Sequence, residues 1–309
     1  MDFRLTEDQR ALRRGVRELL AGRFDREVLR GFVDAPSLDR GLWRELGDAG
    51  FFSLRLPEAE GGVGLGLPEA VLVFEEAGRV LLPGPLVSTH LAAGAVPGAA
   101  DGSVVVTSVD EGLVPWLDEA DVVLGDVTGA VPVRSVDPLT PLHRLPGTGD
   151  GAHPYPPPRT SSWGDPRAER LPTTGLAEAT LLTAAEQVGS AQATTDMAVS
   201  YAHARSQFGQ VIGGFQAVKH LCAGMLVRVE LARAAVWAAA VTGDPVEVAG
   251  AKLLADDAAV GNARDCLQVH GGMGFTWEAD VHLHLKRAWV RAELGMTAAR
   301  AEETVAAGL

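Results

Sequence analysis

Apolar positions along this chain recur with two periods, and the change-overs divide it into three parts. In residues 1–98 they return every three or four places, the spacing of an amphipathic helix. Leu12, Val16, Leu19 and Leu20 fall on one such face. Ahead of them stands Thr6-Glu7-Asp8-Gln9, where a hydroxyl and an amide three residues apart make a capping box. Ser37 is placed to cap a second helix that carries Leu38, Leu42 and Leu46 and stops at Gly50. A third, over residues 69–81, carries Val71, Leu72, Phe74 and Ala77, with Pro68 suited to its first turn. The loop before it holds Gly61, Gly62, Gly64 and Gly66, but no strand precedes it and no Lys-Ser/Thr pair ends it. It therefore reads as a connector rather than a phosphate loop.

Between residues 99 and 172 the period shortens. Residues 104–109 (VVVTSV) and 121–127 (DVVLGDV) are β-branched runs bounded by glycine, which predicts short strands. Ten of the eighteen prolines lie between Pro132 and Pro172, and residues 149–166 predict an extended loop. From residue 176 the helical period returns. It predicts helices over 176–201, 215–242, 245 to about 270, and about 277 to the C-terminus. Val218, Leu221, Cys222, Met225, Leu226 and Val229 share one stripe of the second, which Gly243 ends; Pro245 opens the third. Long helices joined by short links make an antiparallel four-helix bundle. The expected fold is mainly α with a small β domain: an N-terminal helical domain (1–98), a middle β domain with a proline-rich loop (99–172) and a C-terminal four-helix bundle (173–309).

Composition narrows the partners. The 309 residues are 47% hydrophobic and 22% charged, as in ordinary globular domains. A net charge of −13 argues against nucleic acid or an anionic membrane surface, both of which need a basic face. The opening residues lack a signal-type apolar core, and no run of about eighteen apolar residues occurs. Cys222 and Cys266 are too few for a disulfide framework and read as small core residues of a protein in the reducing cytoplasm. The eight histidines form no HExxH motif and no cluster with ligand spacing; His282 and His284, two apart on a helix, point to different faces. No GxSxG elbow is present.

Two glycine-containing connectors at bundle corners carry the candidate chemistry. RSQFGQVIGGFQ runs over residues 205–216 and QVHGGMGF over 268–275. Glycine lets backbone amides approach a ligand, and successive exposed amides attract an anion. Arg205 adds a planar charged fork suited to phosphate oxygens, and Phe208 a flat apolar face for a ring. Gln216 and Gln268 each both donate and accept. Such a set suits a dinucleotide. Either cluster alone reads more simply as a tight helix–helix corner.

Together the two resemble the C-terminal domain of the acyl-CoA dehydrogenase family. The family's YAxxRxQFG…FQ stands here as Tyr201, Ala202, Arg205, Gln207, Phe208, Gly209, Phe215 and Gln216. Its QxxGGxGF stands as Gln268, Gly271, Gly272, Gly274 and Phe275, and LPEAEGGVGLG is similar to its PExxGGxG loop. The resemblance implies FAD as cofactor and oxidation of an acyl thioester at its α and β carbons. In that reaction a carboxylate removes the α-proton and the β-hydrogen leaves as hydride to the flavin. It implies flavin contacts for Arg205, Gln207, Phe208, Gly209, Gln216, Gln268, Gly271, Gly272 and Thr297, and places Trp277 and Arg287 close to the flavin corner. It further implies an acyl-CoA or carrier-bound acyl thioester, an electron acceptor for reduced flavin, and a dimer or tetramer formed across apolar bundle faces.

The sequence departs from the family in two places. A gapless count brings the usual base position to Gly295, within AELGMT, where only Thr297 matches. Glu178, near the position used by members that carry the base on the first bundle helix, and Glu186, two turns on, are weaker candidates; Glu293 is a third. The flavin-facing FALTEPxAGSD strand has no counterpart in residues 98–172, so the middle domain reads as shortened. In family dimers the two corners serve the flavin of the neighbouring chain. The resemblance therefore implies a subunit that completes the FAD site of a second, unlike chain. The alternatives are a self-sufficient homodimer using Glu178 or Glu186 and a flavin-free scaffold.

Overall fold

The computed structural model describes residues 4–147 and 173–308. Its helices are α1 (Glu7–Arg23), α2 (Arg26–Asp34), α3 (Arg40–Asp48), α4 (Leu67–Arg79), α5 (Leu86–Ala92), α6 (Thr173–Ala204), α7 (Gln216–Thr242), α8 (Pro245–His270), α9 (Val281–Ala292) and α10 (Ala298–Ala307). Strands β1 (Val106–Ser108) and β3 (Val122–Leu124) pair in parallel. β2 (Leu113–Pro115), β5 (Leu142–Arg144) and β4 (Val131–Val133) form an antiparallel sheet in the order β2-β5-β4. β6 (Ser206–Gln207) and β7 (Gln210–Val211) make a hairpin. The described chain is thus mostly helical with a little sheet. No described helix is long and apolar enough to cross a membrane.

The chain divides into two compact units, each discontinuous in sequence. One comprises Arg30–Gly66 and Pro83–Ala179. Trp43, Phe51 and Phe52 pack edge to face or tilted in its core. The cap of α3 is Asp39, whose carboxylate accepts from the amides of Gly41 and Leu42 at 2.8 and 3.0 Å. The expectation of Ser37 is corrected by two residues, because Asp39 directly precedes the first helical turn and reaches its free amides. The extended loop expected over 149–166 lies outside the described residues.

The other unit comprises Met1–Leu29, Leu67–Leu82 and Thr180–Leu309. The capping box at Thr6 and Gln9 forms as predicted, with both reciprocal bonds near 3 Å. Helix α4 is buried nearly all round and crosses α6 where glycine meets glycine. A Cβ added at Gly78 would lie 2.0 Å from the Glu186 carbonyl oxygen, and one at Gly189 1.9 Å from that of Glu75. Only the missing side chains allow the two backbones to come so close.

The stripe expected on α7 is split. Met225 and Val229 are buried, whereas Leu226 is 50% exposed. The last predicted helix is likewise corrected. It is interrupted between α9 and α10, where Gly295 takes φ +73° and Thr297 is extended as N-cap of α10. The ammonium of Lys252, wholly buried, pairs with Asp256 and donates to the carbonyls of Arg291 and Ala292 at 3.2 and 3.4 Å. It thereby adds a donor to carbonyls at the end of α9.

Gly189→Ala is expected to lower stability by roughly 1–3 kcal/mol, the range for overpacking a tight contact, read as a shifted denaturant midpoint. An unchanged midpoint would show that the α4–α6 crossing is looser than described.

Candidate functional site

The first corner begins where α6 ends. The Arg205 amide donates to the Tyr201 carbonyl at 2.8 Å, and the Arg205 carbonyl accepts from the Ile212 amide at 2.8 Å. Between these bonds Ser206 pairs with Val211 and Gln207 with Gln210. That leaves Phe208 and Gly209 as a two-residue turn with φ of +53° and +81°. Positive φ at both central residues matches the right-handed twist of a hairpin. It is easy for glycine and costly for phenylalanine. The Phe208 ring is nevertheless 91% exposed, edge to face with Phe215 at 6.2 Å between centroids. A strained backbone that holds an aromatic ring out in water marks a surface built for contact.

The second corner follows α8. Gly271 has φ +58°, and neither it nor Gly272 has any atom within 4 Å of an added Cβ. Gln268 and Phe275 are exposed. The two corners share one seat. Tyr201 stacks on His270 with centroids 4.1 Å apart, and Ala202, Met225, Cys266 and Val281 belong to one buried cluster against which Ile212 and Val218 pack. Burial pushes the Cys266 thiol up to about 12, as suits a core residue, while Cys222 is half-buried.

The donor set at this end fits a dinucleotide. Arg205 is exposed, and among the described residues no carboxylate pairs with it. The backbones of Gly209, Gly271 and Gly272 stand open, and Gln207, Gln216 and Gln268 are exposed with amides to donate and accept. A fixed cation, bare backbone and an exposed ring match a diphosphate with aromatic ends. Trp277 stands 53% exposed, stacked on His282 with Lys286 over its ring, whereas Arg287 is buried and donates to the Leu82 carbonyl at 3.3 Å.

The carboxylates named as bases occupy ion pairs. Glu178 receives a bidentate fork from Arg55 at 2.9 and 2.8 Å. Glu186 is buried and takes Arg291 at 2.6 Å; burial pushes its carboxyl up, and Arg291 and Arg287 oppose that. Glu293 is exposed at the end of α9, and Thr297 makes no side-chain cap bond. Gly295 is buried against α6, where an added Cβ would lie 3.0 Å from Thr180 Cα and 3.1 Å from its Oγ1. Lys252 and Asp256, absent from the motifs above, form a buried pair to which Gln187 adds a bond, donating to Asp256 at 3.0 Å. The signal was a lysine and an aspartate four apart in an otherwise alanine-rich run.

Family profiles match both ends of the chain. Residues 170–308 match the profile of the acyl-CoA dehydrogenase C-terminal domain, and residues 6–104 that of the acyl-CoA dehydrogenase N-terminal domain. Acyl-CoA dehydrogenase IpdE2 of Mycobacterium tuberculosis is 36% identical over 312 residues, covering 93% of each chain. This chain belongs to the acyl-CoA dehydrogenase family. IpdE2 of Mycolicibacterium smegmatis is 34% identical over 94% of this acyl-CoA dehydrogenase-family chain and 95% of its own. Among solved structures, the Tcur3481-Tcur3483 steroid ACAD variant superposes with a TM-score of 0.79 at 24% identity, covering 97% of both chains. The ChsE4-ChsE5 complex from Mycobacterium tuberculosis gives 0.78 at 24%, over 99% of this chain and 97% of that one. FAD is the cofactor that goes with membership, as the two motifs imply.

Burial holds the His90 imidazole down at about 4, and its Nδ1 hydrogen-bonds the Phe51 carbonyl at 3.1 Å. A histidine neutral when folded but protonated when unfolded stabilises the protein fully above about 6.5. That contribution is lost as pH falls from there to about 4 and is constant below. The loss is about 3 kcal/mol at the usual conversion. His90→Gln is expected to flatten the decline between pH 6.5 and 4 in urea melts. A decline of equal steepness in the variant would assign it to other groups.

Proposed function

We propose that this chain is the subunit of an acyl-CoA dehydrogenase that completes the FAD site of a second, unlike family chain, and that the assembly dehydrogenates an acyl thioester between its α and β carbons. The observation that carries the reading is a pairing of presence with absence. Arg205 stands exposed, and among the described residues no carboxylate pairs with it, while the usual base position is a glycine tucked against α6.

In this reading Arg205 neutralises the diphosphate through its fork, and the open backbones of Gly271 and Gly272 let the same phosphates come close. Phe208 covers an aromatic end of the nucleotide and excludes water. Gln216 and Gln268 set its orientation with bonds that both donate and accept, and Thr297 adds a hydroxyl. FAD supplies the redox chemistry when bound. The proton at the α carbon goes to a carboxylate of the partner chain, since Glu178 and Glu186 are each engaged by an arginine. The two-chain ChsE4-ChsE5 complex, whose fold this chain shares, supports an assembly of this kind.

Expression alone is expected to yield colourless protein, and co-expression with a family member that retains the base glutamate a yellow complex bleached by acyl thioester. Arg205→Ala is expected to weaken flavin retention about tenfold or more, the scale of one lost charge-assisted bond. Yellow protein that bleaches without a partner would overturn the proposal, as would full retention in the variant.

Gly295→Glu tests the same reading from the other side. The side chain would meet Thr180 from a backbone at φ +73°, so the variant is expected to be less stable by at least 1–2 kcal/mol, roughly the cost of a left-handed non-glycine residue. It is expected to show no thioester-dependent bleaching alone. Bleaching by the single chain would place a working base there.

A further inference from the structure

We propose that the arginine face of α1 is a binding site for a phosphate oxyanion, separate from the flavin corners. Arg10, Arg13, Arg14 and Arg17 are spaced i, i+3, i+4 and i+7, which places all four on one face of the helix. With Leu5 they line a cavity of about 320 Å³. That size falls in the usual range for small-ligand sites, about 300–1,000 Å³.

The charge of this face is unbalanced. Glu76, buried on α4, takes the Nε of Arg13 at 3.2 Å and both Nε and Nη2 of Arg17 at 2.8 and 2.6 Å. One carboxylate thus orients two forks and neutralises one charge. Arg10 and Arg14 are exposed one turn apart, and among the described residues no carboxylate pairs with either. Glu7, three residues before Arg10, and Glu18, four after Arg14, offset part of this charge, but no hydrogen bond or ion pair holds either to Arg10 or Arg14 among the described residues, so both forks remain open to a ligand. Like charges three or four apart on a helix repel, and side-chain entropy would spread long arginines rather than gather them around one cavity. An anion shared between them removes the repulsion.

Phosphate is the guest that the geometry favours. Guanidinium forks bind phosphate oxygens in pairs, and neighbouring side chains at i and i+4 are spaced to reach one such group from two sides. The apolar wall at Leu5 adds room for an organic ester. The flavin corners contribute nothing to this face, so the site stands whether or not the chain completes a partner's flavin site.

The test is calorimetric titration of the full chain, in the oligomer it forms, with inorganic phosphate and with pyrophosphate at constant ionic strength. The double variant Arg10→Gln/Arg14→Gln is titrated alongside. Neither side chain is buried, so the fold is expected to persist, as circular dichroism checks. Saturable binding by the native chain, weakened tenfold or more in the double variant, is the expected result. Comparing coenzyme A with its form lacking the 3′-phosphate then identifies the source. A difference that disappears in the double variant assigns the nucleotide, and no difference assigns free phosphate. Equal affinity in native chain and variant, or heat that an equal concentration of chloride reproduces, would overturn the proposal.

Discussion

Helices that run antiparallel through one core return alternate connections to the same end, and the candidate site depends on that constraint. The link from α6 to α7 and the link from α8 to α9 lie some sixty residues apart in sequence, yet both close over one apolar cluster. Tyr201 at the end of α6 lies flat on His270 at the end of α8, and Met225, Cys266 and Val281 fill the space beneath. Part of the apolar surface of both corners goes into this seat, while Phe208 and Phe275 stay exposed beside the polar groups. Arg205, Gln268 and the bare backbone of Gly271 and Gly272 are thereby gathered without any direct bond between them.

A second constraint operates in the interior. Lys252 is wholly buried, and a buried ammonium requires partners for its charge and its protons. Asp256 meets the first need, and the last carbonyls of α9 meet the second. Nearby, Arg291 spends its guanidinium on Glu186. These pairs stop α9 at Ala292 and leave the chain to turn through Gly295, whose positive φ presses it against Thr180. Carboxylates with the chemistry of a base are thus engaged in holding structure.

Much of this was legible in one dimension. The bounds of α7 and α8 were read to within a residue and those of α6 to within three, because Gly243 ends one helix and Pro245 opens the next. Glycine marked the two corners as places of close backbone approach, and their resemblance to the family's RxQFG and QxxGG motifs gave them a function. The division of the last helix at Gly295 was missed, although the glycine takes the left-handed conformation common just past helix ends, and a lysine forty residues earlier donates to the end of α9. The exposure of Leu226 was hidden too: the helical repeat marks a side as apolar but does not say whether a neighbour of the same chain covers it.

From sequence alone came the helical architecture, the family, and the residue types able to hold a flavin nucleotide, all of which rest on local patterning and on the chemistry of single side chains. Tertiary structure alone decided that Phe208 is held out on a strained hairpin, that Glu178 and Glu186 are each engaged by an arginine, and that Gly78 and Gly189 meet at a helix crossing. The ion pairs and the glycine crossing depend on contacts between residues distant along the chain, which leave no period to read, and the Phe208 turn, though local, has a backbone sign that side-chain patterning does not encode.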